Sequence, residues 1–132
     1  MSNEAILVLE ADDSLQGLLE VMLRRDGYDP VFVRDGKAAK RLQLEDFAVM
    51  IVDVSLAPST LEVGSRLGMG FLHYLQRRDP ARLRRVIVLT GLASRDLPRD
   101  LPAVAYFLTK PFDIDEVRHA IRACIAEEVT TT

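Results

Sequence analysis

The sequence predicts an α/β domain: a doubly wound, five-stranded parallel sheet with helices on both faces. Five short apolar runs alternate with amphipathic stretches, which is the pattern of repeated βα units. The central runs are continuously apolar, as expected for strands that are buried on both faces of a sheet. With 132 residues, of which 48% are hydrophobic, the chain can bury one core and fold as a single domain.

The first strands and the first helix follow in a regular order. The helix is expected from about Ser14 to Asp26, because leucines recur at helical spacing along one side of it. Asp13 and Gln16 have the spacing of a capping box at its start, and Gly27 is expected to end it. The apolar runs predict strands near Ile6–Leu9, Val31–Val33, Val49–Val52, Val86–Leu89 and Ala105–Leu108.

Glycines, prolines and acidic residues delimit the remaining helices. A second helix is expected to begin near Gly36 and a third to cover Gly70–Arg78. The last helix is expected to open at Asp113, with Glu116 at the capping-box position. The helix between the fourth and fifth strands is predicted to be short or broken, around Ala93–Leu97, because prolines follow it closely.

The composition narrows the range of functions. The net charge of −3 disfavours binding to nucleic acid or to a membrane surface. No apolar stretch approaches the ~20 residues of a membrane span and the N-terminus has no signal-peptide pattern, so a cytoplasmic setting is expected. The single cysteine, Cys124, lies at helical spacing with Val117 and Ile121, which favours a buried structural thiol over a nucleophile.

Polar residues close three of the apolar runs. Asp53 follows the third run, Thr90 follows the fourth and Lys110 comes shortly after the fifth. Because the carboxyl ends of parallel strands line one crevice, these side chains are expected to converge there. A carboxylate, a hydroxyl and an ammonium at one crevice indicate chemistry on a phosphoryl group. Taken singly, each residue also fits a purely structural role at a strand end.

The chain resembles the receiver domain of two-component response regulators over essentially its whole length. The matching motifs, in order, are Ile6-Leu7-Val8-Leu9-Glu10, Asp26-Gly27-Tyr28, Arg34-Asp35-Gly36, Asp53, Thr90-Gly91 and Lys110-Pro111-Phe112. The resemblance implies a flavodoxin-like sheet of strand order 2-1-3-4-5. It also implies a stand-alone receiver at residues 1–128, followed by a tail at residues 129–132.

The resemblance assigns roles to individual residues. Asp53 would accept a phosphoryl group from a phosphohistidine, and Lys110 would spread the charge that develops. Thr90 would hydrogen-bond the phosphoryl group once formed. Phe107 would be the switch aromatic, and we expect it in the core whether or not it switches. A cis peptide bond is expected before Pro111.

The expected Mg²⁺ site departs from the family pattern. Counting back from Gly27 places Glu10 and Ala11 at the positions of the family's two adjacent acids, so Ala11 stands where a direct ligand usually lies. A methyl group cannot bind Mg²⁺, which requires oxygen. The expected ligands are therefore Asp53, Asp12, Glu10 and the backbone carbonyl of Ser55. Intact binding through Asp12 or Glu10, and weakened or absent binding, both stay open.

The connection from Val54 to Met69 is the second departure, since βα connections of two to six residues are common. It is either a tolerated surface insertion or a lid or docking element over the site. The resemblance implies that the residue two beyond Thr90 tunes hydrolysis; Leu92 stands there and cannot orient a water molecule by hydrogen bonding, so slow self-dephosphorylation is expected. The short fourth helix predicts a partner surface unlike that of the common DNA-binding regulators.

The leading function is a phosphoacceptor switch in a two-component phosphorelay. Its partners would be a histidine kinase or histidine phosphotransfer protein and a downstream protein that the sequence does not name; dimerisation stays open. It would not be an enzyme beyond self-catalysed phosphotransfer and slow autodephosphorylation. The alternative is a pseudo-receiver, a protein-interaction module that works without phosphorylation. A phosphatase is disfavoured because Ser55 stands where a second acid would be needed.

Overall fold

The computed structural model describes residues 4–54, 68–91 and 99–130 of the chain. The strands are β1 (Ala5–Leu9), β2 (Asp29–Val33), β3 (Phe47–Asp53), β4 (Val86–Thr90) and β5 (Tyr106–Thr109). They form one five-stranded, all-parallel sheet in the order β2-β1-β3-β4-β5, which confirms the predicted topology. β2 begins earlier than its apolar run indicated, because Asp29 and Pro30 already pair with β1.

Helices connect the strands across both faces of the sheet. In the described ranges these are α1 (Asp13–Arg25), α2 (Gly36–Lys40), α3 (Met69–Arg78) and α4 (Ile114–Thr130), with short 3-10 segments at Leu44–Asp46 and Pro80–Arg85. The predicted short helix around Ala93–Leu97 lies outside the described residues, as does most of the Val54–Met69 connection. No helix of the described residues is long and apolar enough to cross a membrane.

The apolar side chains form two layers because alternate residues of each strand face opposite sides of the sheet. On one side, Leu7, Leu9, Met50, Val52, Val86 and Val88 pack against Ala39 of α2 and Phe71, Leu72 and Leu75 of α3. On the other side, Ile6, Val8, Val49, Ile51, Ile87 and Leu89 pack against Leu19, Met22 and Leu23 of α1 and Val117, Ile121 and Cys124 of α4. Cys124 is therefore buried, as predicted.

The start of α1 differs from the predicted capping box. Asp12, not Asp13, is the N-cap, and its side chain accepts a hydrogen bond from the N–H of Leu15 at 3.1 Å. The side-chain amide of Gln16 donates instead to the backbone carbonyl of Glu10. The predicted cap was wrong by one residue, because Asp12 and Asp13 are both good capping residues and sequence spacing alone does not choose between them.

The ends of α1 and α4 confirm the other predicted signals. Gly27 follows α1 with φ +89°. The N–H of Gly27 donates to the carbonyl of Arg24, and the N–H of Tyr28 donates to that of Leu23, which is a Schellman motif. At α4, the N–H of Asp113 donates to the side chain of Glu116 at 3.2 Å, as a capping box requires.

Gly68 fixes the approach of α3 to the end of β3. Its φ is +80°, a left-handed conformation that residues with a side chain rarely adopt. A Cβ at this position would lie 2.5 Å from the carbonyl oxygen of Asp53 and 2.5 Å from a methyl carbon of Val52. The missing side chain therefore lets the N-terminus of α3 pack directly on the strand end that carries Asp53.

Candidate functional site

The predicted polar residues do meet at the carboxyl edge of the sheet. Asp53 is the last residue of β3 and pairs in register with Leu89 of β4. Thr90 is the last residue of β4 and is buried, and its backbone carbonyl accepts a hydrogen bond from the N–H of Lys110 at 2.7 Å. Glu10 follows β1, and its N–H donates to the carbonyl of Val33 at 3.1 Å. The strand ends therefore deliver two acids, a threonine and a lysine to one crevice.

Lys110 bridges the two carboxylates, which we call the acid pair (Glu10 and Asp53). Its Nζ lies 3.0 Å from Glu10 Oε1 and 3.0 Å from Asp53 Oδ2. Glu10 is 0% exposed and Asp53 is 3% exposed. Burying a charge is costly unless it is paired and hydrogen-bonded, and Lys110 provides such a partner to both carboxylates.

The charge state of the acid pair is set by burial and by the proximity of its members. The pKa of Glu10 is raised to about 7, first by burial and then by the hydrogen bond and negative charge of Asp53, against the opposing effect of Lys110. Burial alone lowers the pKa of Lys110, but the hydrogen bond to Glu10 and the charge of Asp53 outweigh it, so that pKa is raised. Lys110 therefore stays charged at neutral pH, and Glu10 holds a proton part of the time.

Three side chains hold the loop between β1 and α1. Arg34 donates from Nη2 to the carbonyl of Ala11 at 2.9 Å and from Nη1 to Oδ1 of Asp13 at 2.5 Å. Gln16 donates to the carbonyl of Glu10, and Oε2 of Glu10 accepts from the N–H of Ala11 at 3.1 Å. Sequence reasoning missed this role of Arg34 and Gln16, because contacts between loops leave no periodic signal in the sequence.

The core position expected for Phe107 is wrong: its side chain is 43% exposed. β5 lies at the edge of the sheet, and Phe107 pairs in register with Val88. Tyr106 and Leu108 face the opposite side, where they pack against the layer that contains α4. Because side chains alternate along a strand, Phe107 points away from α4 and stays in contact with solvent. The cis peptide bond expected between Lys110 and Pro111 is present.

The expected metal ligands are only partly brought together. Glu10 and Asp53 supply two buried carboxylates, a donor type that fits Mg²⁺, which often binds through one or two carboxylates and retains water. Asp12 is exposed and caps α1. Within the described residues no three His, Cys, Asp or Glu side chains form a metal-binding group. Ser55 lies outside the described residues.

Sequence relatives of the chain are response regulators and a phosphotransfer protein. It is 34% identical over 122 residues to the response regulator protein PmrA of Pseudomonas aeruginosa, covering 89% of this chain and 51% of PmrA. It is 26% identical over 127 residues to sporulation initiation phosphotransferase F of Bacillus subtilis, covering 92% of this chain and 94% of that protein. The chain spans about half of PmrA and 27% of the response regulator protein PilR. No protein-family model matches the chain.

Solved structures with the same fold include receiver domains. One is the signal receiver domain of a signal transduction histidine kinase from Syntrophus aciditrophicus, with a TM-score of 0.76, 27% identity and coverage of 94% of this chain and 91% of that one. Another is the receiver domain of the sensor histidine kinase PA1611 from Pseudomonas aeruginosa, with a TM-score of 0.72, 23% identity and coverage of 94% and 98%. The latter structure has a magnesium ion in its active-site cleft.

The chain is therefore similar over most of its length to response regulators in sequence and to receiver domains in fold.

Proposed function

We propose that the chain is a phosphoacceptor switch, phosphorylated on Asp53 by a histidine kinase or histidine phosphotransfer protein. The observation that carries this proposal is the position of buried Asp53 at the end of β3, 3.0 Å from the Lys110 ammonium and beside Glu10. The phosphorylated chain would signal through contacts with a downstream protein in the cytoplasm.

The chemistry follows from the groups at the crevice. A carboxylate oxygen of Asp53 forms a bond to phosphorus while the phosphorus–nitrogen bond of a phosphohistidine breaks, and the imidazole leaves with the electron pair. Lys110, which already hydrogen-bonds Oδ2 of Asp53, is placed to stabilise negative charge on the phosphoryl oxygens. The hydroxyl of Thr90, on the adjacent strand end, would hydrogen-bond the new phosphoryl group.

Mg²⁺ would be held by Asp53 and Glu10, with the backbone carbonyl of Ser55 as a further oxygen donor, and Asp12 would join them only if its loop shifted away from the cap of α1. When bound, the ion would neutralise charge on the phosphoryl group. Because Ala11 supplies no oxygen and Glu10 holds a proton near neutral pH, the affinity should be weak. Divalent-cation binding to this chain should therefore weaken further as the pH falls below neutrality.

Intact-protein mass after incubation with a small phosphodonor tests the proposal. We expect one phosphoryl adduct with Mg²⁺ and less without it, and none in Asp53→Ala. Arg24→Ala, which removes an exposed ion pair of α1 with Glu20, serves as the matched control and should be phosphorylated like the parent chain. A folded protein that takes no adduct, or an adduct that persists in Asp53→Ala, would contradict the proposal.

The second candidate is a pseudo-receiver that binds partners without phosphorylation. Lys110 at 3.0 Å from both acids, together with the proton on Glu10, already neutralises much of the site, and this favours a stable unphosphorylated state. This reading requires that the chain form no adduct with a phosphodonor and still bind its partner equally well as Asp53→Ala. Calorimetric binding of a candidate partner to both proteins distinguishes the two functions.

A further inference from the structure

The loop between β1 and α1 is held from outside by a residue of another loop. Arg34 follows β2, and it joins the carbonyl of Ala11 to the carboxylate of Asp13 through two different nitrogens. On the other side of the loop, Gln16 donates to the carbonyl of Glu10. The backbone before Asp12 and the side chain of Asp13 after it are therefore both held by hydrogen bonds.

This arrangement determines where the carboxylate of Asp12 lies. Asp12 is the next acid along the chain after Glu10, yet its Oδ1 accepts the N–H of Leu15 at 3.1 Å and its side chain is exposed. Within the described part of the chain, no third acid joins Glu10 and Asp53 in a group fit for a metal ion. The acid pair thus has two carboxylates, and a third, that of Asp12, is separated from Glu10 in the sequence only by Ala11.

We propose that Arg34 is a positioning residue that locks Asp12 on the cap of α1 and away from the acid pair, and so lowers the affinity of the chain for a divalent cation. The proposal rests on the Mg²⁺ site of the proposed function. Moving Asp12 toward the acid pair requires the loop to shift. That shift breaks the hydrogen bond to Ala11 and the ion pair with Asp13, in addition to the helix cap.

The size of the effect follows from the population of the shifted loop. When only a fraction of molecules is competent to bind, the apparent Kd is the intrinsic Kd divided by that fraction. Removing Arg34 removes two of the contacts that oppose the shift. Arg34 is 60% exposed, so these contacts are modest, and their loss should lower the apparent Kd about 3- to 10-fold.

Titration calorimetry with MgCl₂ at fixed pH and ionic strength tests this inference. We expect Arg34→Ala to bind Mg²⁺ about 3- to 10-fold more tightly than the parent chain. Arg34→Lys should be intermediate, because a single ammonium does not reproduce the two-nitrogen contact of a guanidinium. Arg24→Ala removes an equally charged, exposed arginine of α1 and should bind like the parent.

We call the positioning of Asp12 by Arg34 the lock. A double-mutant cycle separates the lock from a general effect of removing a positive charge. Asn caps helices as well as Asp but carries no charge, so Asp12→Asn alone should change the Kd little while the lock is in place. In the Arg34→Ala background, Asp12→Asn should abolish the gain in affinity. An unchanged or weaker affinity of Arg34→Ala, or effects that simply add, overturns the inference.

The same titrations distinguish this inference from the proposed function. If the parent chain binds Mg²⁺ in a way that Asp53→Asn abolishes, while Arg34→Ala gives no gain, the lock fails and the proposed metal site stands. If the parent binds no Mg²⁺ and Arg34→Ala gains binding that needs Asp12, the lock stands and metal use by the native chain fails. Absence of binding in both proteins overturns the lock as well.

Discussion

Glu10 is the residue whose charge state is most strongly altered by its surroundings. It is fully buried, its Oε1 is 3.0 Å from Lys110, and its neighbour in the crevice is a second acid. Burial and the proximity of Asp53 both favour the protonated form, and Lys110 alone opposes them. The acid pair therefore responds to pH in a range where ordinary carboxylates are fully ionised.

The burial of Glu10 beside Asp53 predicts that the stability of the folded chain depends on pH. The pKa of Glu10 is raised from 4.5 to about 7 in the folded chain, so the folded state binds its proton more tightly than the unfolded state does. Its contribution to stability is fully present below about pH 4.5 and is lost as the pH rises through about 7. The free energy of unfolding should fall by about 1–3 kcal/mol between about pH 5 and pH 8.

Urea denaturation followed by circular dichroism across this pH range measures the effect. Glu10→Gln keeps the shape and cannot ionise, so its free energy of unfolding should vary less with pH than that of the parent chain. Glu20→Gln, an exposed acid on α1, is the matched control and should keep the parent's dependence. Equal pH dependence in Glu10→Gln and the parent would show that Glu10 is not the group responsible.

Residues at strand ends were predictable, whereas residues that join loops were not. Asp53, Thr90 and Lys110 follow apolar runs, and the geometry of a parallel sheet brings their positions together. Arg34 reaches Ala11 across 23 positions of the sequence, and nothing in the spacing indicates that contact. The predicted cap of α1, Asp13, lies one residue beyond the observed cap, Asp12. Helix ends are ambiguous by one or two residues when only the sequence is used.

At the scale of elements, the junction of β3 and α3 depends on one glycine. Gly68→Ala would place a methyl group 2.5 Å from the carbonyl oxygen of Asp53 and would force an alanine into a φ of +80°. The contact is with backbone, which cannot move aside without shifting the end of β3 that carries Asp53. We expect a loss of about 1–3 kcal/mol in the free energy of unfolding and slower phosphorylation of Asp53.

Gly70→Ala is the matched control on the same helix. Gly70 lies inside α3, and a Cβ there would meet nothing within 4 Å. Because alanine favours the helical state over glycine, the free energy of unfolding should rise by up to about 1 kcal/mol. Urea denaturation of both variants checks the pair; equal effects of the two substitutions would contradict the proposed close approach of Gly68 to β3.

The order of the elements could be predicted more fully than their boundaries. Buried runs alternating with amphipathic segments leave few topologies for a parallel sheet, and the resemblance to receiver domains selected the observed order. The side to which Phe107 points was harder to predict. An aromatic residue in an apolar run is more often buried than exposed, but β5 is an edge strand and the α4 face is already occupied by Tyr106 and Leu108.

At the scale of the whole molecule, Lys110 and Phe107 link the crevice to the edge strand β5. Lys110 contacts Asp53 through its side chain and Thr90 through its backbone. Phe107 lies three residues before Lys110 and pairs with Val88, two residues before Thr90. A phosphoryl group on Asp53 that draws in Thr90 and Lys110 would therefore act on β4 and on β5, the edge strand that carries Phe107. The phosphoryl group can shift an equilibrium between two conformations of the chain only if its contacts differ between those conformations.

We expect phosphorylation to decrease the exposure of Phe107 from its present 43%. Fluorine NMR of protein labelled with 4-fluorophenylalanine reports on its five phenylalanines, and Phe107→Leu identifies the signal of interest. That signal should move, and become less accessible to a soluble paramagnetic probe, when Asp53 is phosphorylated. Thr90→Ala should still take the phosphoryl group but show a smaller movement, because the hydroxyl proposed to hydrogen-bond the phosphoryl group is gone. A Phe107 signal that is identical before and after phosphorylation would mean that this chain transmits its state by another route.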